Sequence, residues 1–292
     1  MKRGNQVNKI AVVGSNGFIA KQIIPRFESI NYEVVKISHT LQESCIQLDL
    51  GNCDTFDFTV LKDVDYIIFA AAISSLDVCE NNYEMSYNIN VTGTRHFIKN
   101  AIAQGCKVLF FSSDAVYGMD NGENFTEESI LNPISRYGEM KRAVELEFAS
   151  EQAFKAIRLS YVFSYYDKFT QYYLSCVEKN EMAEIFHPFY RSVITIDDLM
   201  VLIDAILGKW DNIPASVINA CGEELISRIR IADCIDRIIK NTVYYNVVRM
   251  PEDLLAIRPC ITCMKSLYRN DLLESDFTSF EEKVRVEIKK YL

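Results

Sequence analysis

Short apolar runs alternate along the chain with longer stretches in which apolar residues return every three or four positions. Runs at residues 9–13, 33–37, 44–48, 66–71, 107–112 and 156–159 predict strands; the stretches 19–30, 82–104 and 137–151 predict helices. Ile67-Ile68-Phe69 and Val108-Leu109-Phe110-Phe111 are apolar throughout, as central parallel strands covered on both faces are. Strand–helix alternation of this kind predicts an α/β fold built on a doubly wound parallel sheet. Farther along, residues 169–180, 198–207 and 279–291 predict amphipathic helices. No Pro/Gly-rich linker divides the chain. The expectation is a sheet domain over residues 1–163 and a smaller part over 164–292 packed on it, with a segment near 190–205 returning to the sheet domain.

Composition narrows the picture. The chain has 292 residues, 49% hydrophobic and 24% charged, which is enough to bury a sizeable core. A formal net charge of −9 speaks against nucleic-acid or anionic-membrane partners, both of which need basic surfaces. No apolar run approaches the roughly 18 residues of a membrane span. Met1-Lys2-Arg3 is not followed by a signal-like apolar core, so a cytoplasmic enzyme is expected. Nine cysteines, an odd number, do not suggest a secreted disulfide framework. Cys260 and Cys263 have metal-ligand spacing but no second pair, and His39, His96 and His187 are not at zinc spacing, so no metal site is expected.

Two stretches carry chemistry. The run Ile10-Ala11-Val12-Val13 leads straight into Gly14-Ser15-Asn16-Gly17-Phe18-Ile19-Ala20. A strand passing through a tight glycine turn into a helix presents backbone N–H groups and the positive helix end to a pyrophosphate. Tyr137 and Lys141, four apart at the start of a helical stretch, put a phenol and an ammonium on one face. A cation there favours the phenolate and lowers a pKa that is otherwise about 10. The spacing alone is weak in a chain with 16 tyrosines, and Tyr32 and Lys36 repeat it. That second pair falls in a strand, where positions four apart lie about 13 Å from each other. Asn132-Pro133 ahead of Tyr137, with Met140, Ala143, Leu146 and Phe148 behind it, sets the first pair on a helix.

Together these motifs resemble the extended short-chain dehydrogenase/reductase family, of the NAD-dependent epimerase/dehydratase type, and the resemblance covers almost the whole chain. The family is of Rossmann type with a smaller C-terminal substrate-binding domain. Its Gly-x-x-Gly-x-x-Gly turn is met by Gly14, Gly17 and Ala20. Besides Gly14, Asn16, Gly17, Phe18 and Ile19, the resemblance implies cofactor contacts from Ser38 and His39 after the second strand and Asp49-Leu50 after the third. It adds Ala70-Ala71-Ala72 after the fourth strand, Asn90 in Asn90-Val91-Thr92-Gly93-Thr94, and Tyr137 with Lys141. Residues 111–118 match the segment carrying the catalytic hydroxyl and place it at Ser113. Ser112 is the alternative, and alternation along a strand lets only one of the two face the site. Ser113, Tyr137 and Lys141 are thus the implied catalytic set. Residues 158–163 and 191–198 and the pair Arg258-Pro259 look like segments that line a nucleotide-sugar pocket. The implied substrate contacts are Ser74, Ser113, Asp114, Tyr161, Arg191 and Arg258. Guanidinium forks suit diphosphate oxygens. The plain alternatives are a surface role for Arg191 and a core role for Tyr161.

The implied reaction moves a hydride between a sugar carbon and a nicotinamide, with Tyr137 delivering the proton and Ser113 holding the oxygen. Dehydratases of the family carry a Glu where Ala115 stands, and a methyl group abstracts no proton. Residues 90–94 look epimerase-like. Residues 113–117, and the spacing of Asp77 and Glu80, lean toward 4-ketoreductases. The reading taken is reduction of a dTDP- or GDP-linked 4-keto-6-deoxy sugar. The alternatives are 4-epimerisation with bound NAD and a non-catalytic regulatory homologue. No acid follows the second strand in Lys36-Ile37-Ser38-His39-Thr40 to grip a ribose 2′-OH, so NADP(H) is expected over NAD(H). The family also implies a homodimer through the helices at 82–104 and 137–151.

Overall fold

A computed structural model describes residues 8–40, 42, 44–119, 122–241, 245–274, 277–290 and 292; Met1-Lys2-Arg3 and Tyr291 lie outside them. The chain divides into two compact units. One comprises residues 1–116, 135–158 and 214–218, and the other residues 117–134, 159–213 and 219–292. Residues 190–205 lie in the second unit, while 135–158 and 214–218 are the segments that return to the first.

The first unit is built on β1 (Lys9–Val13), β2 (Glu33–Ser38), β3 (Ile46–Gln47), β4 (Tyr66–Phe69), β5 (Lys107–Ser113) and β6 (Phe154–Leu159). With Val217–Ala220 they form a seven-stranded sheet in the order Val217–Ala220, β6, β5, β4, β1, β2, β3. The pairs β2–β3, β1–β2, β1–β4 and β4–β5 are parallel. This is the doubly wound, Rossmann-type sheet expected from the apolar runs, and its strand order reverses between β1 and β4. Those runs are covered on both faces: Val12, Ile68 and Leu109 are fully buried, and so are Ala11, Ile67 and Val108 beside them. Only β3 is much shorter than its apolar run. Ser44, which was expected to open it, has φ +62, outside the strand region.

Helices α1 (Phe18–Ser29), α2 (Leu76–Asn81), α3 (Tyr83–Tyr87), α4 (Thr94–Ala103) and α5 (Arg136–Glu147) complete this unit. The single helix expected over 82–104 is instead α3 and α4 joined by a wider, π-type turn at Asn88–Gly93. Two contacts account for it. The Asn90 side chain accepts from Ile73 N (2.8 Å) and donates to Ile73 O (2.9 Å). Gly93 meets the Leu50 carbonyl so closely that a Cβ would sit 1.8 Å from its oxygen. A π-type turn inside a helical run often marks a functional site.

In the second unit, Tyr190–Ser192 pairs antiparallel with Leu225–Ser227 and parallel with Ile261–Thr262. Helices Lys168–Lys179, Arg228–Ile239 and Phe280–Lys289 surround a core that includes Phe163, Ile226, Ile231 and Val284, and a further helix spans Ile196–Gly208. Arg228–Ile239 was not anticipated. Ser227 caps it by accepting from Arg230 N (3.1 Å), and Ile231, Ala232 and Ile235 supply its buried face. Among the described residues no helix is long and apolar enough to cross a membrane.

Candidate functional site

β1 delivers the chain to a point where only glycine fits. A Cβ on Gly14 would lie 2.7 Å from Ala71 N, and its φ is +84. Gly14 N and Ser15 N both donate to Ile37 O (2.8 and 3.0 Å), and Gly17 N donates to Gly14 O (2.8 Å), which closes the turn. α1 starts immediately after, with Gly17 at the cap position offering no side chain to its N–H groups and no acid in the first turn. Those N–H groups, unpaired within the helix, are the natural seat of an anion. A cavity of about 450 Å³ opens at this turn, where the strand order reverses. Gly14, Asn16, Gly17, Ser38, His39, Thr40, Asp49, Leu50 and Ala70 to Ala72 line it, and so do Ile73 and Ile89, which the motifs did not indicate. Phe18 and Ile19 open α1 instead, and Asn90 is committed to Ile73. Turn, cavity and small-residue strand end together fit a dinucleotide.

Hydroxyl availability differs within this wall. The buried Ser38 hydroxyl donates to Thr40 O (2.7 Å) and accepts from Asn16 Nδ2 (2.9 Å) and the Cys45 thiol (3.3 Å), so its bonding capacity is taken up. His39 is exposed, with Nδ1 3.8 Å from Asp49 Oδ1. Asp49 also accepts from Gly51 N (2.9 Å).

Tyr137 lies in the first turn of α5. Ser135 caps the helix through Gly138 N (3.1 Å), and Glu80 of α2 accepts from Arg136 N (2.8 Å). Both supports escaped the motif reading. Ser113 lies near the phenol, and its hydroxyl donates to Asp114 Oδ1 (3.0 Å) and accepts from Ala115 N (3.2 Å). Ser112, by contrast, is buried and its hydroxyl has no partner. Lys141 donates from Nζ to Phe111 O (2.7 Å) and sits 4.4 Å above the Phe110 ring. Tyr137 packs against the buried cluster of Cys79, Val91 and Met140, as does Ile73, which also belongs to the cavity wall.

One electrostatic expectation is reversed. Burial, then the charges of Asp114 and Cys79, push the Tyr137 phenol up rather than down, and Ser113 opposes them. Burial also lowers Lys141 to about 7. Desolvation disfavours both charged forms here. The tyrosine therefore stands protonated, as a proton donor must. Beyond Lys141, the buried Glu145 holds Arg158 Nε and Nη2 at 2.7–3.2 Å, so Arg158 serves an internal ion pair.

The remaining expected contacts divide between the units. Ser74 is exposed in the first unit, next to Ser75, which caps α2 through Val78 N (3.4 Å). In the second unit Tyr161 donates to Asp167, and the guanidinium carbons of Arg191, Arg228 and Arg258 lie 4.2, 4.5 and 4.8 Å from the centre of the Phe189 ring. Arg228 was not among the expected residues.

The sequence pattern described as the RmlD substrate binding domain matches residues 8–261. The chain belongs to this family. A curated relative, the dTDP-4-dehydrorhamnose reductase of Aggregatibacter actinomycetemcomitans, is 22% identical over 88% of this chain and 90% of its own. Among solved structures, dTDP-4-dehydrorhamnose reductase of Bacillus anthracis in complex with NADP superimposes with a TM-score of 0.82 at 19% identity, covering 98% of this chain and all of that one. MoeE5 in complex with UDP-glucose and NAD gives the same TM-score at 18% identity, over 97% of this chain and 98% of that one.

Proposed function

We propose that this chain is an oxidoreductase that reduces the 4-keto group of a nucleotide-linked 6-deoxy sugar, with Tyr137 as proton donor. The observation that carries the reading is Tyr137 itself: a phenol held protonated by burial, with the Ser113 hydroxyl near it, in a cluster that shares Ile73 with the cavity wall. Membership of the RmlD substrate binding domain family supports it, as does the relative named a dTDP-4-dehydrorhamnose reductase. A bound nicotinamide supplies the hydride. As the carbonyl carbon accepts that hydride, its oxygen gains charge; Ser113 stabilises it by a hydrogen bond and Tyr137 transfers the phenolic proton to it. Lys141, committed to Phe111 O, fixes one end of this face and presents its remaining N–H bonds to the cofactor ribose. Ala115 offers no base for dehydration.

The cofactor assigned to this site is NADP(H). No acid ends β2, and with the Ser38 hydroxyl taken up, His39 and Thr40 are the groups that meet a 2′-phosphate. The first unit is assigned the cofactor and the second the nucleotide-sugar. A homodimer through the 82–104 and 137–151 segments belongs to the same proposal, since Met85 and Leu146 expose apolar side chains there. The test is stoichiometric. With dTDP- and GDP-4-keto-6-deoxy sugars as substrates, one NADPH should be oxidised per sugar converted, and more readily than NADH. Epimerised product with no net change at 340 nm would refute reduction.

A further inference from the structure

Arg158 and Glu145 form an ion pair deep in the first unit. Arg158 Nε donates toward both Glu145 oxygens (3.2 and 3.1 Å) and Nη2 donates to Oε2 (2.7 Å), and the two side chains are only 4% and 2% exposed. A pair this deep adds little to stability, because desolvating both charges offsets most of their attraction and an apolar pair of similar size does as well. Its place gives it another use. Glu145 follows Lys141 by four residues on α5, one turn along the same buried face. Arg158 reaches it from β6, the neighbour of β5, whose Phe111 carbonyl accepts from Lys141 Nζ at 2.7 Å.

Lys141 needs such a neighbour. Around its Nζ stand the Phe110 ring (4.4 Å), the Tyr137 ring (5.7 Å) and the Phe111 carbonyl, and from α2 the Cys79 thiol acts on it. Burial keeps Cys79 a thiol and Tyr137 a phenol, so neither balances an ammonium, and Asp114 acts on the phenol. Burial drives Lys141 toward the amine, and Glu145 opposes that more strongly than Cys79 does. A carboxylate alone at this depth would take up a proton. The guanidinium contacts hold it ionised.

We propose that Glu145 is a positioning residue that keeps Lys141 an ammonium inside the fold, with Arg158 holding the carboxylate for that task. What this does for catalysis rests on the reductase reading above. Proton transfer from Tyr137 to the substrate oxygen leaves a phenolate, and an ammonium one turn away stabilises it where an amine does not. The rate of reduction therefore falls as pH rises through the Lys141 titration, and Glu145 sets where that fall begins.

The test follows the Lys141 titration by NMR of the protein isotopically labelled at lysine Cε, without cofactor, the resonance being assigned by its loss in Lys141→Met. In wild type it should titrate at about 7. Glu145→Gln should lower the midpoint by about one pH unit, a tenfold loss of proton affinity, as removal of a neighbouring opposite charge does. Glu145→Asp, which keeps the charge, should stay closer to wild type than Gln does. Glu145→Met/Arg158→Met removes both charges and leaves neither unpaired, so it serves if Gln impairs folding, and its midpoint should also fall. With NADPH and a 4-keto-6-deoxy nucleotide-sugar, the high-pH fall of kcat/KM should move down by the same amount in Glu145→Gln. A purely structural pair would change the unfolding temperature and leave the midpoint in place, so a folded Glu145→Gln or double variant in which Lys141 titrates as in wild type would overturn the proposal. A midpoint that moves while the rate profile stays would overturn the catalytic part. A midpoint that moves in a protein that reduces no such sugar would keep Glu145 in this role and overturn the reductase reading.

Discussion

Around the first unit's cavity the groups that face a ligand are mostly main chain and methyl: the N–H groups that open α1, and the alanines that end β4. Around Phe189 in the second unit long side chains gather instead, three guanidinium groups drawn from separate segments. A backbone site is encoded locally, because a tight turn dictates its residues one after another. A side-chain site depends on which distant segments are brought together, and any one residue of it looks ordinary in the sequence. The contrast yields separable expectations.

The largest effect on binding should come from adding one methyl group to the backbone site. Gly14→Ala places a Cβ 2.7 Å from Ala71 N at a φ of +84. Strain of about 1–3 kcal/mol corresponds to a roughly 5- to 150-fold loss of cofactor affinity in fluorescence titration. Nucleoside diphosphate binding should change less than twofold. Equal losses of both ligands would break the distinction between a local backbone site and a separate side-chain site.

A smaller effect sharpens the electrostatics beneath Tyr137. Lys141 titrates near 7 in the folded protein, against about 10.4 when unfolded. Between those values the unfolded chain binds more protons, so this group makes stability rise with pH across the window, by at most about 1.4 kcal/mol per pH unit. Lys141→Met removes the contribution, and its unfolding temperature should climb less steeply between pH 7 and 9 than that of wild type. Parallel slopes would show that Lys141 keeps an ordinary pKa.

What was legible in the sequence follows the same division. The turn at Gly14–Gly17, the buried strands and the helix carrying Tyr137 and Lys141 all depend on neighbours in the chain, and each stands where its pattern placed it. The break in the 82–104 helix was not legible, because Asn90 answers to Ile73 and Gly93 to Leu50. The Tyr137 pKa was misjudged in direction because spacing reports the nearby cation but not the burial that outweighs it. Arg191 stood in a recognisable motif, yet its side chain serves main-chain carbonyls. Arg228 stood in none, since its place over Phe189 brings together segments far apart in the chain.

The central claim is that a protonated Tyr137 delivers the proton that completes ketone reduction, and Tyr137→Phe tests it most directly. Removing one hydroxyl from a partly buried ring should leave the fold and NADPH affinity essentially unchanged, because the ring still packs against Cys79 and Met140. Turnover of a nucleotide-linked 4-keto sugar should then fall by roughly 10²- to 10⁴-fold, the usual contribution of a positioned general acid. A folded, NADPH-binding Tyr137→Phe protein that keeps wild-type turnover would contradict the account.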